Sequence, residues 1–212
     1  MFITLEGGEG AGKSTQIRRL GAHLAAEGLS VVMTREPGGS VLAEQIRTLL
    51  LAPGASDMDA TTQALLFAAA RRDHLTATIL PALRCGAVVI CDRFMDSTRA
   101  YQGAGGLDPA VIHTLEGIAI GSHLPDLTLI LDVPVEVGMA RAATRHGAAL
   151  ASYDRFERQT SAFHARVRDH FRAIAENEPE RCVLVDASGT PDDTFAAVKA
   201  AVMPRLAAWE ER

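Results

Sequence analysis

The sequence predicts an α/β domain of three layers, a five-stranded parallel sheet flanked by helices. Two observations carry this. Five short apolar runs of strand length recur along the chain, and longer helical patterns separate them. Strands buried on both faces of a parallel sheet read as nearly continuous hydrophobic runs, and parallel neighbours need long crossovers between them. Strand and helix in alternation then give a sheet with right-handed connections.

In chain order, the first strand is Phe2–Leu5, and a glycine-rich loop leads from it into a helix over Lys13–Glu27. A second strand, Ser30–Thr34, precedes helical patterns over Val41–Leu51 and Ala60–Leu83. The third strand, Ala87–Cys91, leads into Asp92-Arg93 and a segment that reads as a helix through Ser97, Tyr101 and Gln102, followed by a helix over Pro109–Gly121. The fourth strand is Leu127–Leu131, with helices over Glu136–Thr144 and Asp154–Glu176. Cys182–Val185 is the fifth strand, and Asp192–Glu210 closes the chain as a helix. Between the helices near 144 and 154 lies the Ala-rich stretch from His146 to Ser152. Two readings stand there, a mobile loop joining two helices or a weakly amphipathic helix. No repeat or linker divides the chain, so 1–212 is read as one domain.

Composition narrows the function. The chain is 212 residues long and 48% apolar, enough to bury one core. Its formal net charge of −5 argues against nucleic acid or a membrane surface as partner, because both are held mainly by a basic face. Cys85, Cys91 and Cys182 form no C-x-x-C pair and show no metal-ligand spacing, which suits a reducing cytoplasm. No apolar stretch reaches membrane-spanning length without interruption.

The strongest motif is Gly7-Gly8-Glu9-Gly10-Ala11-Gly12-Lys13-Ser14, with Thr15 next, a full G-x-x-x-x-G-K-[ST] match between a strand and a helix. Glycines let successive backbone N–H groups turn inward on an anion, and the positive end of the helix dipole adds to them. Lys13 is placed for the β- and γ-phosphates of ATP, and the Ser14 hydroxyl for Mg²⁺. The alternative, a glycine-rich turn that binds nothing, leaves the complete match unexplained. A guanine-reading Asn-Lys-x-Asp loop is impossible, since the chain's single asparagine, Asn177, precedes Glu178. A small-molecule kinase remains.

Further motifs agree in order and spacing: Arg35-Glu36-Pro37-Gly38-Gly39; Phe67, Arg71 and His74; Asp92-Arg93-Phe94 with Ser97, Ala100, Tyr101, Gln102 and Gly103; Asp126-Leu127-Thr128 and Leu131-Asp132-Val133-Pro134; Asp154-Arg155-Phe156-Glu157 with Phe163-His164. Together they resemble the thymidylate kinase family, bacterial type, from Phe2 to about Ala187. The resemblance implies a P-loop kinase fold with a short lid at about 143–155 and transfer of the γ-phosphoryl group of ATP to dTMP, with Mg²⁺, in a homodimer.

Residue by residue, it implies that Glu9 contacts the dTMP 3′-OH or a metal-bound water, against a solvated loop-tip carboxylate. It implies that Asp92 orients Mg²⁺ through water and that Arg93 clamps the dTMP phosphate, whose oxygens its planar fork fits. An ion pair at a strand end is the alternative for both. Phe67 stacks on thymine and Arg71, one turn on, bonds its edge; Gln102 and Ser97, or Thr98, approach the base, and Tyr101 packs near C2′. Arg35 is expected near the acceptor phosphate, or paired with Glu36. Arg141, Arg145 and Arg155 surround the lid, where arginines stabilise the transferred group; a solvated basic face is the other reading, above all for Arg141. Two departures from the family stand out. Gly103–Leu107 lacks an arginine that many bacterial relatives carry there, and the lid spacer is longer and richer in alanine.

Overall fold

The computed structural model describes residues 1–52, 58–146 and 159–211, with the side chains of 145 and 146 excepted. Five parallel strands, β1 (Phe2–Gly7), β2 (Val31–Arg35), β3 (Val88–Asp92), β4 (Leu127–Asp132) and β5 (Cys182–Asp186), form one sheet in the order β2-β3-β1-β4-β5. The order reverses at β1, so the loop after β1 opens at the switch point where ligands of such sheets gather.

Side-chain alternation builds the two outer layers. Ile3, Leu5, Val88, Ile90, Leu127, Leu129 and Leu131 face α1 (Lys13–Ala26) and α9 (Pro191–Glu210), meeting Ile17, Leu20, Leu24, Val198 and Val202. Phe2, Val89 and Cys91 face the other way, with Leu75, Ile79, Phe94 and Met95. That second layer holds α3 (Ala60–His74), α4 (Leu80–Arg84), α5 (Met95–Ala104), α6 (Pro109–Ile120) and α8 (Ser161–Asn177), with α2 (Val41–Leu51) against α3. Burial on both faces holds for β1, β3 and β4. It fails for the edge strands, where Met33 and Leu184 face solvent, because an edge has a neighbour on one side only.

The helix expected over Ala60–Leu83 is interrupted by a π-helical turn, Leu75–Ile79. Its displacement brings the Thr78 hydroxyl onto the Gly39 carbonyl at 2.7 Å, across from the second strand's loop. Single π-turns inside α-helices concentrate at functional sites. The helix expected over Glu136–Thr144 runs as α7 (Val135–His146). The one expected from Asp154 begins at Ser161, where Thr160 caps it by accepting from the Phe163 N–H. Asp154, Arg155, Phe156, Glu157 and most of the Ala-rich stretch lie outside the described residues.

Candidate active site

A cleft of about 410 Å³ opens over the carboxyl ends of β1, β2 and β3. Its floor is the phosphate loop. Gly12 caps α1 in a left-handed conformation (φ 92°), and Gly10 has φ 66°. A Cβ on Gly10 would lie 1.9 Å from the Gly138 carbonyl oxygen in the first turn of α7, so only glycine fits. Lys13 bends back over the loop, its Nζ donating to the Gly7 and Gly8 carbonyls at 3.0 and 2.8 Å. Burial, and after it the neighbouring Arg93 charge, lower the Lys13 pKa to about 8 against the pull of Glu9 and Asp92. The Ser14 hydroxyl donates to the Asp92 carboxylate at 2.8 Å.

The positive end of the cleft is built on the turn after β3. Arg93 is the only non-glycine residue with positive φ (70°) among the described residues. That backbone folds its side chain back over the phosphate loop. Its guanidinium donates to the Gly7 carbonyl (3.1 Å), Ser97 Oγ (3.1 Å), Glu9 Oε1 (2.8 Å) and Tyr101 Oη (3.2 Å). Tyr101 Oη in turn donates to Glu9 Oε1 at 2.7 Å. Glu9 is therefore no solvated loop-tip carboxylate. Burial works to raise its pKa, but the Arg93 guanidinium, then the Lys13 ammonium and the Tyr101 hydroxyl, outweigh it and hold the carboxyl at about 2.

The far wall comes from α3 and α5. Phe67 is half-buried, packed on the cluster of Ala43, Ile46, Leu50 and Ala70 while lining the cleft. Arg71 is buried and held on three sides: Nε to Glu36 Oε2 (2.7 Å), Nη1 to Thr98 Oγ1 (3.1 Å), Nη2 to the Phe94 carbonyl (2.9 Å). Those bonds use one N–H on each nitrogen of a five-donor fork, so two N–H groups remain for the cleft. Gln102 is held by Gln63, Nε2 to Oε1 at 3.3 Å. The exposed neighbour Arg72 plays no part in this wall.

Most of the expected site residues meet here: Glu9 to Thr15, Arg35, Phe67, Arg71, Asp92, Arg93, Ser97, Thr98, Tyr101 and Gln102. Gly7 and Gly8 lie on the opposite side of the loop, toward β4 and α8. Three placements differ from the expected ones. Arg35 sits half-exposed at the rim and donates to both oxygens of Glu44 at 3.1 Å, rather than to Glu36. Ser97 spends its hydroxyl on Glu6 Oε2 (2.6 Å) while accepting from Arg93, so it braces the phosphate end. Arg141 does not line the cleft; its guanidinium donates to the carbonyls of Ala187, Ser188 and Gly189. The Arg145 side chain and Arg155 lie outside the described residues.

Two buried carboxylates organise the site without having been singled out for it. Glu36 joins Arg71 to His74, whose Nδ1 lies 3.0 Å from Glu36 Oε1 and whose Nε2 lies 2.7 Å from Thr34 Oγ1. His74 is therefore a buried support for Glu36 and the second strand's end. Glu6 accepts from the Phe94 N–H at 2.6 Å and from Ser97 at both N–H and hydroxyl, capping α5, which has no side-chain cap of its own. Burial first, and then the Asp96 carboxylate, push Glu6 up to about 7. In the sequence Glu6 has no evident partner and Glu36 only its neighbour Arg35; the long-range packing of β1 on α5 and of the β2 loop on α3 supplies the partners they take.

The Lys13 environment predicts a pH dependence. Phosphates bind the ammonium form, and the free enzyme loses that proton above about pH 8. ATP binding must then take a proton up, so its Kd rises above pH 8 by up to about tenfold per pH unit and is flat below. Titrations between roughly pH 6.5 and 9.5 check this, and Lys13→Met should remove the slope. A slope of opposite sign, or none, contradicts it.

Comparison with known proteins agrees along nearly the whole chain. A family model described as thymidylate kinase matches residues 5–198. A thymidylate kinase from a Bradyrhizobium species is 54% identical over 206 residues, 97% of this chain and 90% of that one. The one from Caulobacter vibrioides is 54% identical over 206 residues and 97% of each chain. Among solved structures, a thymidylate kinase from Ehrlichia chaffeensis superposes with a TM-score of 0.74 at 36% identity, covering 94% of this chain and 96% of that one.

Proposed function

The chain belongs to the thymidylate kinase family and transfers a phosphoryl group from ATP to dTMP, and from that premise we propose how its cleft divides the work. The observation that carries the reading is the state of the acceptor end. It holds a clamped arginine, Arg93, and the carboxylates that line it among the described residues are already engaged, Asp92 accepting from the Ser14 hydroxyl. Glu9 is held at about 2 beneath Arg93 and Tyr101, and Glu36 is buried between Arg71 and His74. A 5′-hydroxyl acceptor needs a base to take its proton, whereas a phosphate monoester is already ionised near neutrality, its second pKa being about 6. The cleft suits a nucleoside monophosphate.

In this reading the loop N–H groups and Lys13 hold the β- and γ-phosphates, and Arg93 moves from Glu9 onto the acceptor phosphate. Glu9 and Tyr101 then face the sugar. Phe67 stacks on thymine, while Arg71, Thr98 and Gln102 read its edge. Catalysis rests on in-line positioning and on cations around the spreading charge, with Arg145 and Arg155 contributing from the lid. Ser14 and Asp92 suit Mg²⁺, a hard ion that is commonly held by one or two protein oxygens together with substrate phosphates. Among the described residues no cluster of three or more His, Cys, Asp or Glu side chains offers an all-protein metal cage, which fits that mode. Held by Ser14 and Asp92, Mg²⁺ would supply positive charge against that of the phosphates.

No helix among the described residues is long and apolar enough to cross a membrane. With three free thiols, we place the enzyme in the cytoplasm. Val41, Leu49, Leu65 and Ile118 are exposed on α2, α3 and α6, which pack side by side, and we assign that face to a second copy of the chain. Light scattering should give twice the chain mass; a monomer at micromolar concentration contradicts the dimer.

Coupled ADP release with dTMP, thymidine, dUMP and AMP tests the acceptor. Turnover with dTMP and none with thymidine is expected, and phosphorylation of thymidine in preference to dTMP overturns the reading. Base choice has its own test. Stacking on Phe67 tolerates any base, so discrimination must come from the polar groups, which go unpaired with a misfit. Arg71→Leu should cut the dTMP:dCMP ratio of kcat/KM by about 10²-fold or more, while Phe67→Leu lowers both and largely keeps the ratio. An unchanged ratio in the Arg71 variant removes base reading from this helix.

A further inference from the structure

We propose that Glu6 is a positioning residue for acceptor binding: its carboxylate, through Ser97, holds the Nη1 end of Arg93 so that the Nη2 end turns to the acceptor phosphate. Glu6 is fully buried and does not line the cleft. Three donors from the start of α5 converge on it. The Phe94 N–H (2.6 Å) and the Ser97 N–H (3.3 Å) meet Oε1, and the Ser97 hydroxyl (2.6 Å) meets Oε2. Ser97 Oγ in turn accepts from Arg93 Nη1 at 3.1 Å.

Chemistry fixes the direction of each bond. A guanidinium only donates, so Ser97 Oγ accepts from Arg93 and sends its own hydrogen to Glu6. An ionised carboxylate only accepts, which completes the chain, and an anion suits a helix N-terminus with no side-chain cap of its own. A proton on Oε2 would turn the Glu6–Ser97 bond round and set Glu6 against Arg93 for the Ser97 oxygen. Nη1 is also tied to the carbonyl of Gly7, the residue after Glu6, at 3.1 Å. Nη2 instead meets Glu9 (2.8 Å) and Tyr101 (3.2 Å), which line the cleft. One end of the guanidinium is thus anchored to β1 while the other faces the ligand. This rests on the reading of Arg93 as the acceptor clamp.

The charge of Glu6 changes near neutrality. Burial, then the Asp96 carboxylate, oppose its ionisation; the Ser97 hydroxyl, the Arg93 guanidinium and the Phe94 N–H favour it, which leaves Glu6 at about 7. Lys13 on α1 and Cys91 on β3 also face it. Asp96 is itself held by two bonds from Arg181, just before β5, and one from Arg99. A carboxyl raised from 4.5 to about 7 binds its proton more tightly in the folded state. The stability this gives is present below pH 4.5 and lost as pH rises through about 7. Glu6→Gln, the same shape without charge, should therefore fold, with an unfolding temperature at about pH 8 no lower than that of the wild type.

The test is isothermal titration of dTMP and ATP into the wild type, Glu6→Gln, Ser97→Ala, Arg93→Ala and the Glu6→Gln/Arg93→Ala double variant, between roughly pH 5.5 and 8. At the alkaline end Glu6→Gln should bind dTMP about tenfold more weakly than the wild type, the loss of one charge-assisted bond, with ATP affinity near pH 7 within about twofold. The dTMP ratio should shrink toward one at the acid end, where wild-type Glu6 is protonated as well; the phosphate's own proton titrates with both proteins and cancels. Ser97→Ala cuts the same chain at its middle and should show a similar loss, which decides the matter even if Glu6→Gln fails to fold. In the Arg93→Ala background the Gln change should add less than about twofold, because its route is gone. Unchanged dTMP affinity in Glu6→Gln or Ser97→Ala, a ratio constant with pH, a full further loss without Arg93, or an equal loss for ATP would each overturn the assignment. Arg93→Ala separates the two levels. If it weakens dTMP and Glu6→Gln does not, the Glu6 role alone falls; if it leaves dTMP affinity intact, the acceptor reading has failed and the Glu6 role with it.

Discussion

Lys13→Met should abolish phosphoryl transfer while leaving the fold in place, lowering kcat by about 10²–10³-fold or more, the scale for removing one preorganised electrostatic group. The stem of methionine fills the same space, and what disappears is a charge already at a disadvantage. Burial has lowered the Lys13 pKa to about 8, so the folded apoprotein gains little from its ammonium. Only two carbonyls, of Gly7 and Gly8, lose a donor, and the Gly7 carbonyl keeps Arg93 Nη1 at 3.1 Å. Activity and stability should therefore separate: near-native thermal unfolding with turnover at the assay floor. Near-normal turnover in the purified variant would remove the loop from catalysis.

Arg93→Ala should be the second large effect, and it should be lopsided. Removing a charged partner of a phosphate is expected to lower kcat/KM for dTMP by about 10²–10³-fold, with ATP affinity changed by no more than a few-fold. The neighbourhood adds a second signature. Arg93 is the strongest of the charges holding Glu9 down, so without it the Glu9 pKa should climb from about 2 toward the ordinary carboxylate value. In the wild type, stability from Glu9 is present above its unfolded value near 4.5 and lost as pH falls toward 2. In Arg93→Ala that acid-side loss should shrink, with Lys13 and Tyr101 still holding Glu9. Separate titrations with the two nucleotides decide the matter; equal losses, or a loss for ATP alone, contradict the acceptor role.

What was legible in the sequence followed from local rules. The phosphate loop needs no partner beyond its own strand and helix, and Gly7 to Ser14 lie where the motif puts them. Phe67 and Arg71 share a wall because helical spacing places them together. Residues whose partners are distant were harder to read. Arg35 and Glu36 are neighbours in sequence, yet successive side chains of a strand point to opposite sides. Glu36 reaches Arg71 in α3, and Arg35 reaches Glu44 in α2. Glu6 extends β1 past the apolar run that marked the strand, and its polar character hid its burial. The π-turn at Leu75–Ile79 left no trace, because the apolar pattern of a helix continues through it. Arg141 matched a basic helix face near the lid, and nothing local announced three carbonyls from a loop 46 to 48 residues away.

The central claim is that this cleft joins two phosphates, with no hydroxyl deprotonated. The most direct measurement follows the phosphorus atoms themselves. In ³¹P spectroscopy with ATP labelled at the γ-phosphoryl oxygens, incubation with dTMP should move the label into the β-phosphate of dTDP, in step with ADP. Label released as inorganic phosphate while dTMP stays unchanged, or label carried into dTMP when thymidine is supplied, would contradict it.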